Sequence, residues 1–355
     1  MNTLLVTSTD DGIGKTAITL ALARHAQQAG YDVGYMKPKG TRLQSAVGKT
    51  RDEDPMLARE LLDLDAEMHE MEPIVYSPTF IQEAIRGRED PDELRQQVVE
   101  NFEDLAEEKD LMIVEGSGDL ATGSIVDLTD GDIAEALDAR VLLVTGYESV
   151  STTDEVLSSA RSIGDRLEGI VFNGVADAKM DELNDDVMPF LDSKDARVYG
   201  ALPRVQELAG VTIEDLARSL GCDVLTPEIG LDDHVERFTV GAMGGNSALD
   251  QFRRTRDAIM ITGGDRSEIQ TAALEAAGIK ALLLTGGFRP ASAVLGRAQE
   301  EGVPILLVQS DTRTTIDRVE NLLRSGRTRN EATVERMGQL LDESVDVERI
   351  LSLGL

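Results

Sequence analysis

Ser8-Thr9-Asp10-Asp11-Gly12-Ile13-Gly14-Lys15-Thr16 is the stretch that decides how this chain is read. It follows the apolar run Leu4-Leu5-Val6 and opens a helix-patterned segment, Lys15–Gln28. A strand, a glycine-bearing loop and a helix form the context that a phosphate site requires. Small residues let backbone N–H groups face the phosphates, and the helix N-terminus adds a favourable partial charge. In that reading Lys15 neutralises the β- and γ-phosphates, and the Thr16 hydroxyl ligates Mg²⁺. The strict spacing G-x-x-x-x-G-K-[ST] is not met, because position 9 is threonine. The loop suits a version one residue longer, with Ser8 where glycine is usual. Without a phosphate, the same residues read as a turn and helix cap that contains Gly-Lys-Thr.

Outward from the loop, short apolar runs alternate with amphipathic stretches. Strands are predicted at Thr3–Ser8, Asp32–Lys37, Leu111–Glu115, Arg140–Thr145, Gly169–Asn173 and Val198–Ala201. Helices are predicted between them, for example at Lys15–Gln28, Asp92–Glu107 and Thr152–Asp165. Continuous apolar strands alternating with helices predict an α/β fold, a parallel sheet covered by helices on both faces. After Pro203 a second alternating set begins, with helix Ile213–Leu220 and strands near Cys222–Leu225 and Glu236–Ala242. It continues with strands Ala258–Thr262, Lys280–Thr285 and Pro304–Val308 and helices Ser267–Ala276, Ala291–Glu300 and Thr312–Leu323. This predicts a smaller second α/β domain. The expected domains are 1–208, 209–328 and a helical tail, 329–355, with the boundary near Gln206–Thr212. No Pro/Ser-rich linker marks that boundary, so close packing of the two units is expected.

Composition limits the function classes. The 355 residues suit two or three α/β units, and 41 % are apolar, enough for substantial cores. No apolar run approaches the roughly 20 residues of a membrane span. Met1–Ser8 lacks a basic n-region and reads as a first strand rather than a signal peptide; a cytoplasmic location is expected. Cys222 is the only cysteine, and His25, His69 and His234 are far apart in sequence, so neither residue type suggests a metal site. The 66 acidic residues outnumber the 35 basic ones, for a net charge of −31. A field of that sign repels phosphate backbones and anionic lipids, so neither nucleic acid nor membrane is expected as a partner. Only eight basic residues are lysine, and an acidic, lysine-poor surface suits a salt-rich cytoplasm.

Further residues gather at strand ends. Glu115 closes the apolar strand Leu111–Val114 and precedes Gly116-Ser117-Gly118. Ligands of open parallel sheets sit beyond the carboxyl ends of strands, so Glu115 is placed to hold Mg²⁺ directly or through water; it also reads as a strand-end surface acid. Asp52, Glu53 and Asp54 precede a helix, where negative charge is favourable in itself. Lys37 ends the second strand and could meet an anionic substrate or a γ-phosphate, or simply lie in solvent. Lys39 and Arg42 beside it concentrate positive charge in an acidic chain.

Taken together these residues resemble dethiobiotin synthetase over about the first 205 residues. The matching elements are the loop Ser8–Thr16, Lys37-Pro38, Asp54 before a helix, Val114-Glu115-Gly116, Phe172–Val175 and Gly200–Pro203. The resemblance implies ATP in the loop, Mg²⁺ on Thr16, Asp54 and Glu115, substrate contacts from Lys15 and Lys37, and adenine contact from Asn173. It also implies a homodimer or larger homo-oligomer. Asp11 departs from the family, which usually has threonine there, and it places negative charge where a carbamate would react.

The second unit carries Ile261-Thr262-Gly263-Gly264-Asp265-Arg266, then Leu284-Thr285-Gly286-Gly287 and Asp311-Thr312. These resemble the DRTGG domain. Read alone, the glycine pairs are strand-to-helix turns and Asp265 a helix N-cap; alternatively, backbone N–H groups at adjacent strand ends cradle a second nucleotide or another metabolite. The two domains in this order resemble the N-terminal half of long phosphate acetyltransferases. The catalytic domain of those enzymes has no counterpart before Leu355, so acetyl transfer is not expected. The resemblance implies a nucleotide-dependent regulator or sensor of acetyl-CoA and acetyl phosphate metabolism, with an acyl-CoA-metabolising enzyme as partner. The alternative is an ATP-dependent ligase of the dethiobiotin-synthetase or cobyrinate-amidating kind, and a third reading is a scaffold that binds no nucleotide.

Overall fold

The computed structural model describes residues 2–41, 43–46, 49–205, 208, 210–241, 249, 252–325 and 331–352. Arg42 lies outside these, as do residues 206, 207 and 209 at the expected boundary, residue 242 of an expected strand, and residues 329, 330 and 353–355 of the tail. The chain divides into two compact units, Met1–Val205 with Thr328–Leu355, and Gln206–Arg327.

The first unit is built on six strands, all paired in parallel. Their order is Val198–Pro203, Leu167–Val175, Arg140–Thr145, Asn2–Ser8, Leu111–Glu115, Val33–Met36. Leu4, Leu5 and Val6, Met112 to Val114 and Leu142 to Val144 are all fully buried. Both faces of the sheet are therefore covered, which is why these strands read as continuous apolar runs rather than as alternation. The chain leaves the central strand Asn2–Ser8 for the far edge, returns beside it at Leu111–Glu115, and then builds outward on its other side. The strand order thus reverses at the carboxyl end of Asn2–Ser8, the position where open α/β sheets form a crevice.

Helix Lys15–Gln28 starts immediately after Gly14, which is left-handed at φ 91°. Thr152–Ile163 ends at Gly164, two residues short of the predicted Asp165, and a 3₁₀ turn, Gly164–Arg166, follows. The segment between the second and third sheet strands holds elements the periodicity did not reveal. Leu43–Ala46 pairs antiparallel with Lys49–Asp52, and helix Glu53–Leu61 follows at once, capped by the Asp52 side chain on the Asp54 N–H. The tail, read as one helical stretch, is two helices, Glu331–Ser344 and Val347–Leu351. It breaks where Val345 bridges to Gly200 of the sheet-edge strand.

The second unit has a five-stranded sheet in the order Asp223–Val224, Ile305–Leu307, Ile279–Thr285, Ala258–Gly263, Arg237–Val240. Four strands are parallel, and the two-residue edge strand Asp223–Val224 runs antiparallel. One face packs Met260, Leu282 and Leu284 against helices Ser267–Leu274 and Ser292–Glu301. The other packs Ile259, Ile261 and Leu283 under helices Ile213–Leu220 and Thr312–Ser325.

Candidate nucleotide and metal site

The loop Ser8–Thr16 sits at the reversal point of the first sheet. Ser8, where glycine is usual, is buried and ties the loop together: its hydroxyl donates to the Asp10 carbonyl at 2.8 Å and accepts from Lys15 Nζ at 3.2 Å. Lys15 Nζ also donates to the Gly118 carbonyl at 2.7 Å. Burial pulls the Lys15 pKa down, against the attraction of Asp130 and Glu115. An ammonium so placed gains from any anion delivered to the loop. Thr9 is held against the fourth sheet strand, with its hydroxyl 3.1 Å from that of Thr145 and its N–H on the Val144 carbonyl.

Gly12 and Gly14 are both left-handed, at φ 75° and 91°. A Cβ on Gly14 would lie 2.4 Å from Asn173 Nδ2. Asn173, assigned to adenine by resemblance, donates this amide to the Ile13 carbonyl at 2.7 Å. Asp11 is exposed at the turn.

The three residues expected to hold Mg²⁺ are linked through hydrogen bonds and Lys37. Thr16 Oγ1 donates to Glu115 Oε1 at 2.6 Å. Lys37 Nζ contacts Asp54 Oδ2 and lies 3.7 Å from Glu115 Oε1. It is also 3.0 Å from Asp52 Oδ2. Lys37 is 2 % exposed, and Asp52 and Glu115 are fully buried. Burial opposes the Lys37 charge, but Asp54, Glu115 and Asp52 together outweigh it and hold its pKa above that of ordinary lysine. The Glu115 pKa is raised as well, here by burial, despite the opposing pull of Lys37 and Thr16. The donor set is all oxygen, two carboxylates and a hydroxyl, and an ammonium already stands among the carboxylates. Such a set fits a hard divalent cation. Among the described residues no group of three or more His, Cys, Asp or Glu side chains is arranged to hold a metal ion.

Three residues that sequence reasoning missed complete this pocket. Tyr35 donates its hydroxyl to Glu115 Oε2 at 2.8 Å. Its signal was available: Tyr35 and Lys37 are two apart in the predicted strand Asp32–Lys37, which puts them on one face. Asp52, noted only as part of an acidic cluster, accepts from the N–H groups of Thr41 and Asp54 and from Lys37. Asp130 accepts from the Thr7 hydroxyl at 2.6 Å and pairs with Lys39 at 3.3 Å. Lys39, read in the sequence only as positive charge beside Lys37, turns into the interior. It is fully buried, donates to the Thr122 and Leu128 carbonyls, and fastens the loop that follows Glu115.

Residues 2–212 match the family model described as AAA domain, and residues 215–322 match the DRTGG domain. The chain belongs to the AAA domain family, with a DRTGG domain after it. It is 27 % identical over 348 residues to phosphate acetyltransferase of Pseudomonas putida, covering 91 % of this chain and 48 % of that protein. It is 28 % identical over 180 residues to ATP-dependent dethiobiotin synthetase of Methanocaldococcus jannaschii, covering 49 % and 80 %. The chain spans about half the length of the phosphate acetyltransferases it matches. Among solved structures it is similar to the CBS and DRTGG domains of the regulatory region of Clostridium perfringens pyrophosphatase, solved with the activator diadenosine tetraphosphate. That match has 17 % identity and a TM-score of 0.29, and it covers 44 % of this chain and 80 % of the other. The protein is thus a P-loop α/β domain joined to a DRTGG domain, related to phosphate acetyltransferase and dethiobiotin synthetase. Among the described residues, no helix is long and apolar enough to cross a membrane.

In the DRTGG domain the signature residues gather at the carboxyl ends of parallel strands. Asp265 does not cap the helix as expected; Arg266 occupies the N-cap position, and its guanidinium donates to the Gly241 carbonyl at 3.0 Å. The turn 263–266 is closed by Arg266 N–H on Gly263 O, which puts Asp265 one residue too early. The Gly286 and Gly287 N–H groups bond to the Ser310 and Val308 carbonyls, so these two donors bind the neighbouring loop. The Thr285 and Thr312 hydroxyls meet at 2.7 Å, and Asp311 caps the following helix on the Arg313 and Thr314 N–H groups.

Proposed function

We propose that this protein binds Mg·ATP in its first domain and acts as a regulator or sensor linked to acetyl-CoA and acetyl phosphate metabolism. The observation that carries the nucleotide reading is the loop itself. Lys15 and Thr16 begin the helix at the point where the strand order reverses, with Thr16 hydrogen-bonded to Glu115. Here the loop N–H groups and Lys15 take the phosphates, while Thr16, Asp54 and Glu115 hold Mg²⁺, which screens phosphate charge. The regulatory reading is supported by the pairing of this domain with a DRTGG domain across 91 % of the chain in alignment with a phosphate acetyltransferase. The DRTGG domain takes a second nucleotide or metabolite. The assembly is a homo-oligomer in the cytoplasm, and its protein partner is an acyl-CoA-metabolising enzyme. The domain limits that go with this reading are 1–208, 209–328 and a tail, 329–355.

Calorimetric titration with Mg·ATP tests the proposal, with Lys15→Ala as control. Saturable, Mg²⁺-dependent binding in the wild type, weakened at least about a hundredfold in the variant, is the expected result. No binding in the wild type defeats it.

A second reading, an ATP-dependent ligase acting on a carboxylate or carbamate, has one observation in its favour. Lys37 is a buried ammonium beside the phosphate loop and could hold an anionic substrate. Diaminopelargonic acid, ATP and bicarbonate decide between the two: product formation sinks the purely regulatory reading.

A further inference from the structure

Lys37 takes the place a divalent cation would need. Its Nζ bonds Asp54, lies 3.0 Å from Asp52 and is 3.7 Å from Glu115, and almost none of the side chain reaches solvent. Two of those three carboxylates belong to the set proposed above for Mg²⁺, so this inference rests on that reading. An Mg²⁺ ion bonds oxygen at about 2.0–2.1 Å and tolerates little departure from octahedral geometry. It cannot share Asp54 and Glu115 with an ammonium that already fills the space between them.

Displacing Lys37 by a bare cation is unfavourable. The ammonium would leave three carboxylates for a buried position with no counter-anion, and unpaired buried charge is strongly penalised. Asp130 is no alternative partner, because it is already paired with Lys39. The phosphate loop lies on the same side, because Glu115 is hydrogen-bonded to Thr16 of that loop. A phosphate delivered there supplies the missing anion. The ammonium then exchanges carboxylates for phosphate oxygens at little net cost, and the carboxylates are released.

We infer that Lys37 is a built-in counter-cation that closes Asp54 and Glu115 to free divalent ions, so that the metal enters only together with a nucleotide whose phosphate takes over the lysine. Asp52 is the positioning residue of this device. It is fully buried, held by the Thr41 and Asp54 N–H groups, and grips Lys37 without belonging to the metal set.

The test is Mn²⁺ binding by electron paramagnetic resonance on the full chain, with and without ATP, in wild type, Lys37→Met and Asp52→Asn. Wild type is expected to take up Mn²⁺ only when ATP is present. Lys37→Met should bind Mn²⁺ alone at least about tenfold more tightly than wild type does. Asp52→Asn, which keeps one acceptor oxygen and so one of the two N–H bonds from Thr41 and Asp54, should gain nucleotide-free binding to a smaller degree; it answers the question even if Lys37→Met fails to fold. Wild type that binds Mn²⁺ equally well with and without ATP overturns the inference. So does an Asp52→Asn variant indistinguishable from a wild type that requires ATP. Wild type that binds Mn²⁺ in neither condition overturns the nucleotide reading beneath it instead.

Discussion

Asn173 donates its side-chain amide to the Ile13 carbonyl at 2.7 Å, across 160 residues of sequence, and the same nitrogen would lie 2.4 Å from any Cβ placed on Gly14. A sheet strand thereby fixes the height of the phosphate loop. Removing the bond frees a loop whose N–H groups must be pre-aimed. A hydrogen bond of this kind contributes about 1 kcal/mol. Asn173→Ala is therefore expected to fold normally and to weaken Mg·ATP binding by about tenfold. Gly14→Ala, which meets the amide and takes an unfavourable φ, should cost more. Calorimetry on both variants checks the order, and an unchanged Kd for Asn173→Ala refutes it.

The strands and helices flanking the loop were legible because burial on both faces leaves unbroken apolar runs such as Leu111–Val114. Thr16, Glu115 and Lys37 were legible as strand-end and helix-start residues. The partners they choose were not. Asp52 meets Lys37 only because a short hairpin turns the chain back, and no periodicity announces a four-residue pairing. Lys39 looked like one of a group of cations, yet its partner Asp130 lies 91 positions away. The break at Val345 was hidden because both halves of the tail share a helical pattern.

Lys39 and Asp130 form a fully buried ion pair that anchors the loop after Glu115. Burial lowers the Lys39 pKa, with Asp130 opposing. Leaving one partner without the other strands a charge, at a cost of roughly 3–5 kcal/mol. Lys39→Met and Asp130→Asn are each expected to be strongly destabilised, and the double variant less so than the sum of the two. Urea midpoints measure this; simple additivity would show that the two residues act independently.

Glu72 shows a different kind of burial. One of its carboxylate oxygens accepts from the Asp52 N–H at 3.0 Å, while the other, Oε1, has no hydrogen-bond partner. Burial pushes its pKa up to about 7, against the pull of that N–H group. Between the ordinary carboxylate range and about pH 7 the folded state keeps a proton that the unfolded chain has lost. This contribution to stability therefore falls as pH rises through that window and is constant above it. Glu72→Gln should remove the slope, becoming more stable relative to wild type as pH rises, by at most about 3 kcal/mol. Thermal melts from pH 4 to 8 on both proteins test it, and parallel curves would count against it.

The net charge of −31 sets a condition on all these measurements. Self-repulsion of that size opposes compaction, and salt screens it within a Debye length of about 10 Å at 0.1 M. The melting temperature is expected to climb by several degrees from low salt into molar KCl. A flat series would mean that the acidic coat is already neutralised locally by pairs such as Arg140–Glu168.

Gly200 is where the tail meets the sheet of the first unit. A Cβ there would lie 2.1 Å from the Ser344 carbonyl oxygen and 3.1 Å from Val345 Cα, both backbone atoms that cannot rotate away. Beside it, Val345 bridges to Gly200 and the Asp346 N–H bonds the Tyr199 carbonyl at 3.3 Å. Helix Glu331–Ser344 buries Val334, Met337, Leu340 and Leu341, and His25 of the first helix meets Asp342 at 2.8 Å. Gly200→Ala must push this junction off the strand. Overpacking of a tight contact costs about 1–3 kcal/mol, and the apolar face of the tail helix would be exposed as it lifts. Hydrogen exchange should then rise in residues 331–351 and along Lys15–Gln28, while the second unit keeps its protection. Unchanged exchange in the tail would show that the backbone there adjusts without undocking.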